Sequence, residues 1–472
     1  MSRATRPKEL KRQIMAVLKT RSSDPPFKKN TRKAVDARAV RVAEWPNFND
    51  RRENATLRRQ DAIDHLGELH AQLRQRWAEN GITVHEAPDG EQAQTIALRI
   101  IRDAGAKRVV KSKSMLSEEI EINTFFEGHG IETIETDLGE YIVQLRGETP
   151  SHITMPAMHL SRQDIGRLFV EKLGVEYTED PSALTQIVRR TLRRQFLSAD
   201  VGIIGVNFAV AETGHLATVT NEGNGRMVTT LPKVVIALMG WERVTQSLDD
   251  LAQLWQLLSR SATGQRASVY LNLTHGPDPA GGDPRQVHVI VIDNGRKRIH
   301  EDNEMREVLR CIRCGACLNA CPVYQQVGGH PYGGVYPGPI GAVFTPAREG
   351  IRNAPDHPFA SSLCGACEET CPVSISIPKL LLTLRKHRVE IRSALDPQRG
   401  LWRVFREVMS SHGRYEAAAK FAHGIQSVWP GGAGKMIIPG WTDHRDPPAF
   451  AKHPFRELFQ DAADDPEETD DA

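Results

Sequence analysis

Seven cysteines lie between residues 311 and 371 of this 472-residue chain, and their spacing states one motif twice. The first copy reads Cys-x2-Cys-x2-Cys-x3-Cys-Pro, and the second lacks only the first cysteine. The full motif is typical of bacterial ferredoxins, in which three closely spaced thiolates hold one [4Fe–4S] cluster and the fourth ligates the other. Two interleaved copies therefore predict two iron–sulfur clusters in one small domain, and a protein that carries electrons.

The exchange of the fourth ligand divides the cysteines into two sets. The first cysteine set, for cluster one, is Cys311, Cys314, Cys317 and Cys371. The second cysteine set, for cluster two, is Cys321, Cys364 and Cys367. Because the second set is one thiolate short, we expect about seven to eight irons per chain, from one complete cluster and one of three or four irons.

Ser361 occupies the position in the second copy that corresponds to Cys311. The fourth ligand of cluster two could be Ser361, His357, a water molecule or a residue of another protein, and a three-iron cluster would need none. Ser361 is equally well interpreted as a loop residue that binds no iron. We expect the incomplete cluster to lose iron first in oxygen and to be the place where a partner or substrate makes contact.

Two other uses of clustered cysteines fit less well. Disulfides need an oxidising compartment, and the charged residues at the N-terminus have no apolar stretch behind them that would make a secretory signal. Structural zinc sites use paired cysteines separated by a spacer, whereas each of these runs continues to a third or fourth cysteine. Iron–sulfur chemistry is therefore the best interpretation of the spacing.

Composition predicts an ordinary globular protein with unlike ends. Hydrophobic residues make up 40% and charged residues 25% of the chain, and no apolar stretch reaches the roughly 18 residues of a membrane span. Residues 1–60 hold 17 Lys or Arg against 6 Asp or Glu, without a motif that reads nucleic acid. We interpret this basic segment as a solvated face or a docking surface for an acidic partner. The acidic tail, residues 461–472, is expected to be disordered.

Helical and strand patterns alternate from residue 61 to residue 296, which predicts parallel βαβ units with helices on both faces of a sheet. Predicted helices cover residues 61–80, 91–104, 117–130 and 184–196. Predicted strands cover residues 82–87, 108–110, 131–136, 201–206, 216–220, 233–239, 268–273 and 287–292. An α-helical two-cluster domain at residues 297–392 and a small helical domain at 393–460 follow.

Glycine and proline are concentrated in residues 327–341, between the two motif copies. This composition disfavours regular helix and predicts a backbone that approaches a cluster or a partner closely, or else a surface loop.

Several motifs resemble those of the lactate-utilisation protein B family, which are iron–sulfur proteins with a LUD domain. The matching segments are residues 135–140, 150–153, 207–214, 311–317, 338–343 and 361–367. Seven cysteines are also the pattern of that family. The resemblance covers about residues 60–460. It implies an α/β LUD domain, similar in fold to sugar isomerases and CoA-transferases, then a ferredoxin-like two-cluster domain and the family's C-terminal domain.

The resemblance implies an electron-transfer subunit of a cytoplasmic three-protein system that oxidises L-lactate to pyruvate. The other members would be a cysteine-rich protein of the heterodisulfide-reductase type and a small stand-alone LUD protein. A rival interpretation is a CoA-transferase-like enzyme with structural or regulatory clusters, in which Glu212, just after a predicted strand, is the nucleophile. A module that recruits partners through the glycine-rich segment is a third.

Residues for the oxidation itself are harder to select. His152, His159 and His215 are candidate bases for the lactate hydroxyl, and Arg146 is a candidate partner of its carboxylate. Single histidines and arginines, however, more commonly have structural roles. Residues 223–228 lack the third glycine of a dinucleotide fingerprint, and residues 429–436 lack the first glycine and the Ser/Thr of a phosphate loop. We therefore expect a partner or a flavin to begin the reaction.

Overall fold

The computed structural model describes residues 9–20, 25–278, 282, 284–391, 397–428, 453, 455 and 458–459. The chain divides into two compact units, Met1–Glu390 and Ile391–Ala472. The acidic tail and the segment that resembles a phosphate loop lie outside the described residues. Within the described residues, no helix has the length and apolar character needed to cross a membrane.

In the described part of the first unit, ten strands form two sheets. They are β1 (Thr83–Ala87), β2 (Arg108–Lys111), β3 (Glu132–Glu135), β4 (Val201–Gly205), β5 (Phe208–Val210), β6 (Leu216–Thr220), β7 (Val234–Gly240), β8 (Val244–Thr245), β9 (Tyr270–Thr274) and β10 (Gln286–Ile292). The larger sheet is entirely parallel, in the order β1-β10-β7-β4-β2-β3. The smaller sheet has the order β8-β5-β6-β9 and is mixed.

Helices cover both faces of the parallel sheet, as the alternating pattern predicts. Every residue of β7 is buried, and successive side chains belong to different hydrophobic cores. Val234, Ile236 and Leu238 join the core beneath the helix at residues 90–103, whereas Val235 and Met239 join the main core on the opposite face. A strand buried on both sides reads as a continuous apolar run because its side chains point alternately to the two faces.

The helices of the first unit begin before the sheet and continue through the cysteine region. Up to the end of the two sheets they are α1 (Glu9–Thr20), α2 (Pro26–Ala43), α3 (Phe48–Asp64), α4 (Leu66–Glu79), α5 (Gly90–Asp103), α6 (Met115–Glu119), α7 (Ile122–Glu127), α8 (Leu138–Arg146), α9 (Arg162–Leu173), α10 (Pro181–Ser198), α11 (Asn224–Thr230) and α12 (Leu248–Thr263). The cysteine region has α13 (Arg296–Glu301), α14 (Ala316–Ala320), α15 (Tyr324–Val327), α16 (Gly338–Glu349), α17 (Ala366–Glu369) and α18 (Ile377–Glu390). Short 3-10 helices lie at Arg306–Arg310, His330–Tyr332 and His357–Phe359.

The second unit, taken by itself, contains two helices in its described part. These are α19 (Pro397–Met409) and α20 (His412–Val428), which pack against each other. The predicted small helical region thus has helical structure where it is described.

Capping side chains fix where several helices start. Ser161 and Ser247 each accept a hydrogen bond from a backbone N–H three residues on, and the aspartates at those positions, Asp164 and Asp250, bond back to the serine N–H. These capping boxes satisfy backbone donors that have no partner inside the helix.

Two predicted helices are interrupted. The helix predicted at residues 61–80 breaks between α3 and α4, and the one at 117–130 is replaced by α6 and α7. Glu121, between α6 and α7, has a φ of +49°, a left-handed conformation that ends the first helix.

The prediction of a non-helical loop at residues 327–341 is wrong at both ends, because α15 ends at Val327 and α16 begins at Gly338. Close backbone packing explains the glycines: a Cβ on Gly341 would lie 1.6 Å from the Tyr336 carbonyl oxygen, and one on Gly329 would lie 1.8 Å from the Ser151 carbonyl oxygen. The segment also carries buried Tyr332 and Tyr336, so it packs against its own fold and is not a surface loop.

The interpretation of residues 1–60 as a solvated face or docking surface is incomplete, because part of this segment packs inside the first unit. Helix α2 packs against α12 of the α/β domain and against α14 of the cysteine region, and α3 contacts α12 as well. Arg59 is fully buried and donates to the carbonyls of Val244, Glu242 and Leu309. These helices therefore join the two regions of the first unit.

Candidate functional site

The two cysteine motifs share a backbone conformation as well as a sequence. Arg313 and Leu363, each directly before a cysteine, have φ values of +59° and +56°, and Gly315 and Gly365 have φ values of +76° and +86°. A short helix, α14 or α17, starts immediately after each glycine. Because left-handed residues other than glycine are uncommon, their recurrence at matching positions shows that the repeat is structural.

One small cavity is lined by all four members of the first cysteine set, together with Ile153, Ile340 and Ile375. Two backbone N–H groups point at its sulfur atoms: Arg313 N lies 3.4 Å from Cys311 Sγ, and Ile375 N lies 3.4 Å from Cys371 Sγ. Hydrogen bonds to sulfur and an apolar wall are two of the means by which proteins set the potential of an iron–sulfur cluster.

The raised pKa values of Cys314 and Cys317 show that the thiolate forms need a nearby positive charge. Burial raises the pKa of Cys314 to about 12, and the charges of Cys371 and Cys311 add to this rise. The same causes raise the pKa of Cys317 still further. Four thiolates therefore need positive charge beside them to stay ionised, and iron supplies it. The donor set fits a [4Fe–4S] cluster.

Arginines from distant parts of the chain hold the backbone around the first cysteine set. Arg52 Nε donates to the carbonyl of Cys371 over 2.7 Å, and Arg38 Nη2 donates to the carbonyl of Thr370 over 3.0 Å. Arg243 Nη1 donates to the carbonyl of Cys311 over 3.1 Å. Such bonds fix the loops that carry the cysteines and add positive charge beside them.

The second cysteine set combines two buried thiols with an exposed one. Cys321 and Cys367 are buried, whereas Cys364 is exposed. Burial raises the pKa of Cys367 to about 12, with a further rise from the charge of Cys321, but a hydrogen bond from the Ser362 hydroxyl lowers the pKa of Cys364. This set therefore reaches the protein surface, unlike most of the first.

Two of the candidate fourth ligands have partners within the protein. Ser361 Oγ accepts a hydrogen bond from the Leu363 N–H over 3.1 Å, which is the contact of a turn residue. His357 is buried, and its Nε2 donates to the Tyr332 carbonyl over 3.0 Å. Burial lowers the pKa of His357 to about 4. These contacts give each residue a structural role.

A larger polar pocket opens at the carboxyl edge of the parallel sheet. Its walls include residues that follow β2, β3, β4, β7 and β10, namely Lys113, Asp137, Asn207, Glu242 and Arg296. The chain proceeds from β2 to β3 in one direction and from β4 to β7 in the other, so the sheet order reverses beside this pocket. Ligands of open α/β sheets bind in such a crevice.

Buried charges line the end of the pocket nearest the cysteines. Arg296 Nε lies 2.7 Å from Glu242 Oε2, while Arg243 and Arg313 each lie 3.5 Å from Glu242 Oε1. Arg296 also binds Glu119 through both terminal nitrogens. Three guanidinium groups thus share the carboxylates of Glu242 and Glu119 at this end of the pocket.

The pKa of Glu242 reflects the three guanidinium groups around it. Burial alone would raise the pKa of this carboxyl, but the charges of Arg296, Arg243 and Arg313 together outweigh burial and hold it at about 2. Arg313 still has a buried Nη1 without a hydrogen-bond partner among the described residues. A hydrogen-bond acceptor in the pocket, such as a carboxylate oxygen, would satisfy this donor.

The pocket and the first cysteine set share a wall. Arg313 and Ile153 line both the polar pocket and the cavity of the four cysteines. Arg313 belongs to the cysteine motif itself, since it lies between Cys311 and Cys314. The structure therefore places the polar pocket beside the first cysteine set. The sequence analysis had instead expected a substrate or partner to make contact at the incomplete cluster two.

The residues proposed for catalysis lie elsewhere. Glu212 is exposed, and its carboxylate accepts from the Leu248 N–H over 3.2 Å at the start of α12. His215 contacts His275, and Arg146 pairs with Glu148, as does His159. None of these residues lines the polar pocket as the structure describes it.

His152 lies close to the first cysteine set but is a poor base. Its buried ring packs against Gly315, where an added Cβ would come within 2.9 Å of His152 Cε1. Burial and the charge of Lys113 together lower the pKa of His152 to about 3. A general base works best with a pKa near the operating pH, so His152 supports the loop and does not take a proton at neutral pH.

The pocket residues themselves were not found from the sequence. Glu242 and Arg243 directly follow the most apolar strand, and this position was the available signal. A position just after a strand points to a binding site only when the strand is known to end at the edge of the sheet where ligands bind.

Comparisons with known proteins agree with this arrangement. Residues 71–296 match the LUD domain, residues 307–375 the 4Fe-4S dicluster domain, and residues 396–463 the C-terminal domain of lactate utilisation protein B. The predicted fold class is confirmed: an α/β LUD domain, then an α-helical two-cluster domain, then a small helical C-terminal domain. The prediction of iron–sulfur clusters of the [4Fe–4S] type is also confirmed.

Full-length relatives show the same extent of similarity. An uncharacterized electron transport protein, YkgF, of Escherichia coli (strain K12) is 41% identical over 441 residues, covering 91% of this chain and 90% of that protein. Lactate utilization protein B of Bacillus velezensis is 43% identical over 426 residues, covering 89% of each chain. The protein of that name from Bacillus cereus (strain AH820) is 42% identical over the same shares.

One solved structure also aligns, a DUF162 family protein from Deinococcus radiodurans. It is 14% identical with a TM-score of 0.28, covering 48% of this chain and 98% of that one. So distant a likeness carries no argument about function.

Proposed function

The chain belongs to the lactate utilisation protein B family, and from this premise we propose that it is the iron–sulfur electron-transfer subunit of a cytoplasmic system that oxidises L-lactate to pyruvate. A role in lactate utilisation and electron transfer follows from the names of its relatives and from the dicluster domain. The remaining details are the proposal, and the geometry around the cysteines supports them.

In this proposal the first cysteine set holds one [4Fe–4S] cluster and the second set holds three corners of another. When bound, each cluster would supply a carrier for one electron, and lactate oxidation releases two. The division is supported by the cavity that the first set lines together. The charge of Cys364 raises the pKa of Cys321, and the charges of Cys321 and Cys364 raise that of Cys367, which indicates that the three thiols of the second set lie near one another.

The shared wall of Arg313 and Ile153 is the observation that carries the proposal. The end of the pocket where Arg243 and Arg313 lie is suited to a small carboxylate, and L-lactate is one. Arg243 and Arg313 are the side chains that would receive the carboxylate, because their only carboxylate neighbour among the described residues, Glu242, is 3.5 Å from each.

Partners would approach where a cysteine of the second set reaches solvent. Cys364 is exposed and lines neither the polar pocket nor the cavity of the first set. We propose that the cysteine-rich protein of the heterodisulfide-reductase type, or the small stand-alone LUD protein, contacts the chain near Cys364.

The test is reduction of the protein by L-lactate. The full chain, purified anaerobically with its clusters, is mixed with the two partner proteins, and the visible absorption of the clusters is followed after L-lactate is added. Wild-type protein should be reduced. Arg243→Gln removes one charge-assisted contact and should need about ten- to a hundredfold more lactate for the same rate, whereas Arg243→Lys should recover part of this loss.

Arg190→Gln is the control, since Arg190 is an exposed arginine on α10. Iron content must be equal in all variants, because Arg243 also holds the Cys311 carbonyl. Reduction by L-lactate that is the same in Arg243→Gln and in Arg190→Gln would contradict the assignment of the pocket. Undiminished growth on L-lactate after deletion of the gene, in a strain without another lactate dehydrogenase, would contradict the function as a whole.

A further inference from the structure

A second group of potential ligands lies away from the cysteines, where the loop after α8 meets the glycine-rich segment. Ligand atoms of Glu148, His159 and His330 all come within 4.8 Å of one another. Glu148 Oε2 lies 3.0 Å from His159 Nε2, and the ring centroids of the two histidines are 4.6 Å apart. Two imidazoles and one carboxylate are a common ligand set for zinc and other divalent first-row metals.

Hydrogen bonds fix which nitrogen of each histidine carries the proton. His330 Nε2 lies 2.9 Å from the Thr149 carbonyl, which can only accept, so Nε2 is the protonated nitrogen. His159 Nδ1 lies 2.8 Å from Ser151 Oγ, and the hydroxyl of Ser151 donates to the Pro156 carbonyl over 2.9 Å. Ser151 Oγ therefore accepts from His159 Nδ1.

These bonds leave His159 Nε2 and His330 Nδ1 with lone pairs in the neutral rings. Metal-ligating histidines are held in the same way, with the second ring nitrogen donating to a carbonyl or a side-chain oxygen. The contact between His159 Nε2 and Glu148 Oε2 is then a contact of two acceptors at 3.0 Å. A cation between them removes the conflict.

The distances suit a small ion. Nitrogen and oxygen ligands at about 2.0–2.1 Å from a tetrahedral ion lie about 3.3 Å from each other, close to the observed separation of His159 Nε2 and Glu148 Oε2. Arg146 Nη2 bonds the other oxygen, Glu148 Oε1, over 2.7 Å. This orients the carboxylate and leaves Oε2 for the metal, as hydrogen-bonded ligand carboxylates do.

The electrostatic surroundings also attract cations. Glu148 lines a cavity that, among the residues described, carries eight glutamates and one arginine, Arg348. Lys111 pairs with Glu118 and Glu135, and Arg296 with Glu119, so the remaining glutamates supply the negative charge. Two of its buried acceptors, Glu135 Oε2 and Glu140 Oε1, have no hydrogen-bond partner within the described structure. A cavity wall of one sign concentrates counter-ions.

We propose that Glu148, His159 and His330 form a divalent metal site of the zinc class, separate from the iron–sulfur clusters. His330 belongs to the glycine-rich segment and the other two ligands to the α/β domain, more than 170 residues earlier in the chain. The ion fastens this segment to the domain. His330 is exposed, so water can take the remaining coordination position.

The experiment uses the full-length protein with its clusters, kept anaerobic. After treatment with a mild chelator, wild-type protein and the variants His330→Gln and Glu148→Gln are dialysed against zinc chloride, and zinc and iron per chain are measured by mass spectrometry. His129→Gln, at an exposed histidine near the end of α7, is the matched control. Wild type and His129→Gln should retain about one zinc per chain more than His330→Gln and Glu148→Gln, with equal iron in all four.

The ligands are identified by zinc K-edge X-ray absorption of the wild-type protein, which should show two imidazoles and only nitrogen or oxygen neighbours. Sulfur neighbours would place the zinc at the cysteines and overturn the site. The same zinc content in wild type, His330→Gln and Glu148→Gln would also overturn it, because Glu148 and His159 would then be a simple ion pair.

Discussion

Glu242→Gln tests the charge arrangement at the end of the polar pocket. The carboxylate of Glu242 is 2% exposed and is shared by Arg296, Arg243 and Arg313. The substitution keeps the shape of the side chain and removes its charge, so three buried guanidinium groups are left with one carboxylate, Glu119. We expect a large loss of stability, because a buried charge without its partner is costly.

Two routes give the size of this loss. The pKa of Glu242 is about 2, against 4.5 for an unperturbed glutamate. At about 1.4 kcal/mol per unit, the difference corresponds to about 3 kcal/mol of stability. Breaking a buried ion pair from one side costs about 3–5 kcal/mol in other proteins, which agrees.

The sign of the pH dependence follows from the direction of the shift. Because the pKa of Glu242 is lower in the folded state, its contribution is complete above about pH 4.5 and is lost as the pH falls towards 2. At pH 7 the full effect is therefore present. For the unit Met1–Glu390, the loss corresponds to a fall of about 4 °C in the unfolding temperature.

The assay is thermal unfolding of the cluster-containing protein at pH 7 without oxygen, at one fixed scan rate because unfolding with cluster loss is irreversible. Glu304→Gln is the control, since Glu304 pairs with His387 at the exposed surface and should leave the unfolding temperature unchanged. Unfolding of Glu242→Gln within 1 °C of the control, at about the error of such a scan, would refute the reasoning. Anion binding should survive the change, because Arg243 and Arg313 lose a competing carboxylate.

Three further substitutions test the cysteine region. Cys371→Ser should remove the electron paramagnetic resonance signal of the first cluster, which is held with Cys311, and leave the signal of the second cluster unchanged. Loss of the second cluster's signal alone would show that the cysteines are divided wrongly between the two sets. Ser361→Cys should complete the second set and slow the loss of iron from the second cluster in air, while the spectrum of the first cluster stays unchanged. Iron release at the wild-type rate would count against a missing ligand at position 361. Arg52→Gln removes a positive charge and two hydrogen bonds to the carbonyls of Cys371 and Glu368, so the reduction potential of the first cluster should fall in a redox titration; an equal or higher potential would disprove this effect.

Local patterns in the sequence were sufficient for the six strands of the parallel sheet, whereas β5 and β8 of the smaller, mixed sheet were not predicted. The strand predicted at residues 233–239 is β7 (Val234–Gly240), because an apolar run buried on both faces has few alternatives. The cysteines were equally clear, because metal ligation needs fixed spacing of thiolates. In both cases a short stretch of chain contains the information.

Features that depend on distant contacts were not predictable. Glu121, which has a left-handed backbone conformation, divides a predicted helix, and the residue types around it do not indicate this conformation. Gly341 lies inside α16 because the Tyr336 carbonyl leaves no room for a side chain, so packing outweighs the low helix propensity of glycine. The polar pocket likewise gathers residues from the ends of five strands, and these meet only once the strand order is known.

The basic N-terminal segment shows that composition alone does not tell which charged side chains face solvent and which point into the protein. Seventeen basic residues in the first 60 predicted a solvated or partner-binding face, yet Arg38, Arg52 and Arg59 point inwards. Each donates to a backbone carbonyl of residues 309–371, the region that carries all seven cysteines. A region that binds iron through thiolates is rich in negative charge, so arginines that satisfy its carbonyls also neutralise it. The excess of positive charge at the N-terminus is therefore partly the counterpart of charge inside this same chain, and removal of α2 and α3 should damage the first cluster before it affects any partner.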